Sequence, residues 1–524
     1  MDRHTVPQDQ LDGLTSARTD VQFAHEPQFT TLSGAAMSNR KLSRRQALLA
    51  AAAVPVAGGG LWAGLQAGSS PAEISAQQLR FEDVPAGFQR MRAAPAMAQL
   101  SGQADEMTAV WAYEGSVPGP EIRAVAGDRV RVRLENGLEQ STAVHWHGIS
   151  IDNDMDGVPG LTQDAVSAGE AFDYDFVVPH PGTYWYHTHD RSWEQNARGL
   201  HGALIVEEPE PYDVDGDLTL VIDDWRLDDR SQIDEDSMGA AGDWSHGGRT
   251  GGLLTVNGSS TPDIDVVAGE RIRMRLINTA NARILGVSFG DLPASAVALD
   301  GYPIEPREVD GPVVLGPAQR VDVVVDMTGD PGAVGQLELL TQEGAAPGAT
   351  FRYGPDEPIR TSFPDVPALP SRAPGSAALD LDDPVRVDLL MEGGAMGGMS
   401  AATLDGQTLA MPELMDARRF WAFNGVAGDL DMPLTTVARN RTVVVTIQNQ
   451  TAFPHVMHFH GHHFQVITRD GVPSAQPDWR DSELMGQGET VELAFLADNP
   501  GKWLLHCHML EHAAAGMMTW LNVT

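Results

Sequence analysis

Val125-Ala126-Gly127-Asp128-Arg129-Val130-Arg131-Val132-Arg133-Leu134-Glu135-Asn136 reads as a turn followed by alternating apolar and polar residues. That alternation is the pattern of a half-buried strand. It recurs from Val267 to Asn278, where Val267-Ala268-Gly269-Glu270-Arg271-Ile272-Arg273 keeps the same turn and alternation. A looser copy, one residue longer, runs from Val437 to Asn449. Copies about 150 residues apart mean duplicated domains, because a solenoid repeats every 20–50 residues or so. A chain of 524 residues has room for about three domains. Its 54 Gly and 34 Pro favour turns and short strands over helical bundles. The expected fold is all-β: three consecutive Greek-key β-sandwiches over residues 79–210, 211–370 and 380–524. A linker rich in Pro, Ala, Ser and Asp is expected near 364–384.

The formal net charge of -37 disfavours nucleic acid and anionic membrane surfaces as partners and favours cations. One cysteine, Cys507, excludes an internal disulfide. Ser43-Arg44-Arg45-Gln46-Ala47-Leu48-Leu49 is a twin-arginine pattern, and an uncharged Ala/Gly-rich run follows to about Ala67. Residues 1–78 are therefore expected to form an export signal with a polar leader, the true start being Met37. The expected destination is the periplasm. The run also has the length of a bilayer span, which makes an uncleaved anchor the alternative.

Histidines sit on the repeat in register. His145 and His147 are the ninth and eleventh residues after Asn136, and His458 and His460 hold the same places after Asn449. In the middle copy these places are Val287 and Phe289. A second correspondence aligns Pro181-Gly182-Thr183-Tyr184-Trp185-Tyr186-His187-Thr188-His189 with Pro500-Gly501-Lys502-Trp503-Leu504-Leu505-His506-Cys507-His508. Both histidines of a His-x-His pair on a strand face the same way, which makes the pair a bidentate metal clamp. Four such pairs hold more imidazoles than one ion can use, so a cluster is implied between domains 1 and 3. Cys507 points to the other face and must serve a different metal. With His455, His512 and Met517 it forms the blue-copper set of two imidazoles, a thiolate and a weak thioether.

These motifs together resemble the three-domain multicopper oxidases: laccases, bilirubin oxidases and bacterial copper-efflux oxidases. The resemblance covers nearly the whole chain after the signal and implies cupredoxin-like sandwiches. It implies four coppers per chain. His455, Cys507, His512 and axial Met517 would hold type 1, His145 and His458 type 2, and His147, His187, His189, His460, His506 and His508 the type 3 pair. Substrate would give single electrons at type 1, and the trinuclear cluster would reduce dioxygen to two waters. Met517 is preferred to Met518 because it holds the family's position ten residues after the cysteine. Asp156 matches a family acid near the cluster, a turn aspartate before Gly157 being the plainer reading. Ala513 stands where many bacterial relatives carry a glutamate, and strand-like alternation would aim Glu511 elsewhere.

The electron donor is left between cuprous ion and phenols or aromatic amines. Met391, Met396 and Met399 lie in a Gly-rich, loop-like stretch, with Met411 and Met415 beyond, and thioethers suit Cu(I). Gap-filling is the alternative use of the same residues. The expected partners are dioxygen, the reducing substrate and the twin-arginine export machinery, and the chain is expected to be a monomer. A non-catalytic copper-binding or structural protein of the same fold is the alternative function. His180, His201 and His246 read as surface or structural residues, and His462 as support for the cluster at most.

Overall fold

Each copy of the repeat becomes the same strand at the same place in a sandwich. The computed structural model describes residues 83–103, 106–371 and 379–524, so the twin-arginine segment lies outside the described residues. Arg129–Asn136 runs parallel to Gln89–Ala98 and antiparallel to Ala171–Val177. Arg271–Asn278 stands likewise between Gly216–Trp225 and Arg320–Asp326. Thr442–Asn449 does so between Val385–Gly393 and Thr490–Leu496. The second sheets also share one order. In the first sandwich it is Gly119–Val125, His201–Glu207, Gly182–Thr188 and Val144–His147. In the third it is Thr435–Val437, Met518–Val523, Gly501–Cys507 and His455–Phe459, with Ser482–Met485 at the edge.

The asparagine that closes each repeat explains why the copies resemble one another. Its Nδ2 donates to two carbonyls: Gln140 and Val166 for Asn136, Arg283 and Leu315 for Asn278, Phe453 and Gly486 for Asn449. Its Oδ1 accepts from the backbone N–H two residues on, at Leu138, Ala280 and Thr451. This Asx turn fixes the exit of the chain toward the next strand. The histidines nine and eleven residues later start from that anchored bend. In the middle sandwich the same places are buried Val287 and Phe289, which join an apolar core.

One expectation is corrected here. All eight residues of Arg271–Asn278 are buried, so the middle copy is not half-buried. Arg273 and Arg275 reach the first sandwich, at Glu208 and Thr183, and all three arginines of the strand are neutralised. Arg271 pairs with Asp326, Arg273 with Glu208 and Asp322, and Arg275 with Asp217. Buried cations persist only when paired and hydrogen-bonded in this way. The first and third sandwiches share one continuous apolar cluster, from Met91 and Trp146 to Met517 and Val523. The middle sandwich has its own. That shared core places the first and third His-x-His strands face to face.

Candidate metal centre

The cluster is built by two pairs of adjacent strands. His145 stands opposite His187 in the register of Val144–His147 with Gly182–Thr188. His458 stands opposite His506, and Met457 opposite Cys507. Alternation along the strand therefore sends Cys507 away from the face used by His506, as its spacing requires. Across the junction the rings interleave. His145 stacks on His460 with centroids 3.8 Å apart, and His147 on His458 at 3.7 Å.

Candidate ligand atoms gather into groups in which all lie within 4.8 Å of one another. Three all-imidazole groups take residues from both His-bearing sandwiches: His145, His147 and His458; His147, His187 and His508; His189, His460 and His506. A separate group is His455, Cys507 and His512. In it the Nδ1 atoms of the histidines lie 3.6 and 3.7 Å from Sγ and 3.1 Å from each other. Met517 is fully buried in the cluster of apolar side chains that contains Cys507. Met518 instead lines a cavity of about 140 Å³ beside His189 and His506.

The outer nitrogens decide where the lone pairs point. His145, His458, His187 and His506 each donate through Nδ1 to a carbonyl, those of Asp156, Asp481, Thr188 and Cys507. His460 donates through Nδ1 to Asp156 Oδ2 at 2.9 Å, and His147 through Nε2 to Asp481 Oδ1 at 3.1 Å. In the sulfur site His512 Nε2 donates to the His246 carbonyl at 2.6 Å, and His455 Nε2 to Thr451 Oγ1 at 2.7 Å. A carbonyl only accepts, so the opposite ring nitrogen carries a lone pair. Buried lone pairs at His145 Nε2, His147 Nδ1 and His458 Nε2 have no hydrogen-bond partner. His460 and His506 turn Nε2 toward each other at 3.2 Å, and His508 and His187 at 3.4 Å. Unpartnered nitrogens converging at buried positions fit metal ions.

Burial also sets the protonation state. It drives His147, His187, His189, His455, His458, His460 and His508 well below the usual histidine range, and His506 and His512 down to about 4. Neutral imidazole is the ligating form. Burial pushes the Cys507 thiol up to about 12. The thiolate thus forms when a cation displaces the proton. Imidazole with thiolate selects copper or zinc among common metals, and thioether at a trigonal His₂Cys site selects copper.

Other sequence-based expectations fare differently. Asp156 is fully buried and touches both halves of the cluster: Oδ2 binds His460, and Oδ1 lies 3.3 Å from His145 Nδ1. Met391 is a buried strand residue of Val385–Gly393, paired with Asn449, so the loop-like reading is corrected for Met391, which is core, and holds for residues 394–400. Met399 and Met411 pack on the cluster of Ala402, Leu414, Ala422 and Ala427. Met396 is 81% exposed, in the left-handed region at φ 68. Glu511 is not on a strand: it lies in the first turn of the helix Leu510–Ala514 and is buried against Asn281 Nδ2 and the Arg249 backbone N–H. His201 is buried beside Asp223, and His246 is exposed but lends its carbonyl to His512. Asp481, Ser482, Thr451 and Trp421 escaped sequence reading. Trp421 lies 4.5 Å from the His512 ring and donates from Nε1 to the Trp244 carbonyl. Only Thr451, two residues after the repeat asparagine, had a signal of its own.

A buried thiol–imidazole triad joined through one peptide segment to an imidazole cluster is the donor arrangement of a metal-dependent electron-transfer protein. Comparison with known proteins makes this specific. The family described as multicopper oxidase matches residues 96–211, 216–333 and 404–524. The multicopper oxidase MmcO of Mycobacterium tuberculosis is 30% identical over 95% of this chain and 99% of its own length. The structure of a multi-copper oxidase from Pseudomonas thermotolerans superposes with a TM-score of 0.72 at 30% identity, over 83% of this chain and 98% of that one. A multicopper oxidase from Campylobacter jejuni described as a metallo-oxidase gives a TM-score of 0.70 at 25% identity, covering 83% and 90%. The chain belongs to the multicopper oxidases: it is an oxidoreductase of three cupredoxin-like sandwiches that uses copper, dioxygen and a reducing substrate.

Proposed function

We propose that this oxidase uses four coppers, held as one mononuclear and one trinuclear centre. His455, Cys507, His512 and Met517 hold type 1, His145 and His458 type 2, and His147, His187, His189, His460, His506 and His508 the type 3 pair. The observation that carries this reading is the pair of opposed faces on His506-Cys507-His508. Cys507 belongs to the sulfur triad, while His506 and His508 fall in two separate imidazole groups. Copper bound in these sites supplies one-electron transfer at type 1 and the four-electron reduction of dioxygen to water at the cluster. The chain's own residues do the rest. The strand joins the two sites by a short bonded route. Outer-nitrogen hydrogen bonds hold His145, His147, His187, His455, His458, His460, His506 and His512 in their ligating tautomers. Asp156, between His145 and His460, holds or passes protons that the product waters require. The cavity beside His189 and His506 admits small molecules to the cluster side.

The donor is a small reductant received above His512. Its outer edge is covered by the His246 carbonyl, and the loop bearing Met396 lies beside it: Ala395 N–H donates to the Ser245 carbonyl at 2.6 Å, and Gly394 lies against the Trp421 ring. With Met391 buried and Met399 partly packed, Met396 is the most exposed of the three methionines a cuprous donor would meet in this loop. The excess of acids favours that cation. A neutral phenol or aromatic amine is the second reading, favoured by the scattering of the methionines. Oxygen uptake by the copper-loaded protein with chelated Cu(I) or a simple phenol separates them, alongside Met396→Ser. Cu(I) turnover that falls tenfold or more in the variant establishes the cuprous donor. Phenol turnover indifferent to the variant establishes the organic one. No turnover with either overturns the oxidase reading of this donor surface. The twin-arginine pattern supports export to the periplasm, and fractionation of cells expressing the full chain checks it.

A further inference from the structure

We infer that Arg320, on the middle sandwich that carries no metal-ligating pair, is a positioning residue for the histidine cluster between the other two. Arg320 opens the strand Arg320–Asp326 and is wholly buried. Its guanidinium donors are all engaged. Nε donates to the Thr183 carbonyl at 3.1 Å. One terminal nitrogen donates to Asp481 Oδ1 at 2.8 Å and the Ala318 carbonyl at 3.2 Å. The other donates to Asp481 Oδ2 at 2.6 Å and the Asp300 carbonyl at 3.0 Å. The Arg320 backbone N–H donates to Asp300 Oδ1 at 2.9 Å, which closes the network on the middle sandwich's own side.

The Asp481 carboxylate is therefore held in a two-pronged grip that only a planar guanidinium makes. On its far side it meets the cluster. Oδ1 accepts from His147 Nε2 at 3.1 Å and from Ser482 Oγ at 2.7 Å, and the Asp481 carbonyl accepts from His458 Nδ1 at 2.8 Å. His147 and His458 come from different sandwiches and stack on each other, and their inward nitrogens are among the unpartnered ones. One residue, Asp481, thus sets the ring rotation and tautomer of both, and Arg320 sets Asp481. Two further contacts tie Arg320 to the same place. Thr183 lies on the strand that leads to His187 and His189. Gly148, directly after His147, fits under the guanidinium: a Cβ there would lie 2.5 Å from the arginine and 2.6 Å from Asp481 Oδ2. A sandwich without ligands thereby fixes the angle between two sandwiches that carry them. This inference rests on the reading of His147 and His458 as copper ligands.

The test compares Arg320→Lys with Arg271→Lys in the full-length, copper-loaded protein. Arg271 makes a buried pair of the same kind with Asp326, away from the cluster, and so serves as the control for a merely structural loss. The readouts are the type 2 copper EPR spectrum, the EDTA concentration that strips half the cluster copper, and the type 1 absorption as the sign of a folded third sandwich. Residues that orient ligands typically change metal affinity 10–100-fold. Arg320→Lys is expected to change the type 2 spectrum and to lower the stripping concentration by about that factor, with type 1 absorption kept. Arg271→Lys is expected to leave the spectrum and the stripping concentration as in the parent. A parental spectrum and stripping point in Arg320→Lys overturn the inference, and so does an equal loss in Arg271→Lys. If Arg320→Lys yields no type 1 absorption, Asp481→Asn carries the same test, since it keeps the shape and loses the charge. A parental result there overturns the inference too. A parent protein with type 1 but no type 2 signal overturns the copper assignment of the cluster, and this inference with it.

Discussion

Replacing Asp156 by Asn leaves the size of the side chain unchanged and removes its charge, and the surroundings decide what that does. Oδ2 accepts from His460 Nδ1 at 2.9 Å, and Oδ1 lies 3.3 Å from His145 Nδ1, whose proton goes to the Asp156 carbonyl. An asparagine that keeps its oxygen toward His460 turns its amide N–H₂ toward another donor. The flipped amide puts donor against donor at His460 instead. Either way one charge-assisted hydrogen bond goes, worth about 1.5–3 kcal/mol in a buried site. At about 1.4 kcal/mol per decade this is a factor of roughly 10–150 in whatever equilibrium or barrier depends on it. The variant also loses a group that can carry a proton, and such groups contribute about 10²–10⁴ to rate. The turnover number with saturating donor and air is therefore expected to fall at least 100-fold. Cys507, His455 and His512 form a different group of the third sandwich, which Asp156 does not enter. The type 1 absorption and its anaerobic reduction by donor should stay within twofold of the parent. Stopped-flow reoxidation by dioxygen is the direct assay. Reoxidation at the parental rate would falsify the assignment of Asp156 to the proton side of the reaction and return it to the role of a turn residue.

Other outcomes follow from the same geometry. Cys507→Ser should abolish type 1 absorption and oxygen uptake while the imidazole cluster still binds copper, as read by metal content and type 2 EPR. The copper-free protein should lose stability as pH falls from 6.5 to about 4, because burial depresses His506 and His512 from 6.5 to about 4 and the unfolded chain binds the extra protons in that window. Stability contributed by a depressed histidine is present above its unfolded pKa and gone below its folded one, so these two alone amount to on the order of 7 kcal/mol. Urea midpoints that stay flat from pH 7 to 5 would refute it, and copper loading should move the loss to lower pH. Gly157→Ala should destabilise the fold by about 3 kcal/mol or more. The glycine has φ +82, and a Cβ would lie 1.8 Å from the Val144 carbonyl oxygen. A chemical-denaturation midpoint within error of the parent would contradict the crowding argument.

Why so much of the centre could be read from the sequence, and why the rest could not, has a common physical origin. Ligands on a strand obey a period of two, so His145 and His147, or His506 and His508, announce themselves by spacing alone. Asn136 and Asn449 anchor the same bend ahead of the first and third pairs, and so the pairs fall at equal offsets. Residues that act through the fold have no such ruler. Asp481 reaches His147 across 334 positions and Arg320 across 161. The His246 carbonyl covers His512 with a backbone atom, which carries no residue identity at all. Met391 misled because a Gly-rich stretch looks like a loop, whereas parallel pairing with Thr442–Asn449 holds its first residues as strand. Glu511 misled for the opposite reason, since a five-residue helix interrupts a strand pattern without changing its composition.

The middle sandwich shows most clearly what spacing leaves out. It repeats the strand and the asparagine, puts Val287 and Phe289 where the others have histidine, and by that measure is filler. Yet the buried arginines among the described residues all lie in it, and Arg273, Arg275 and Arg320 reach its neighbours. Arg275 donates to Thr183 Oγ1 on the His187 strand, and Arg320 to Asp481 behind His147 and His458. A cluster shared by two sandwiches needs their relative placement held to a fraction of an ångström, and apolar packing, which is non-directional, does not supply that direction. Bidentate guanidinium–carboxylate pairs do. In this fold the domain without ligands supplies the geometry, and the domains with ligands supply the chemistry.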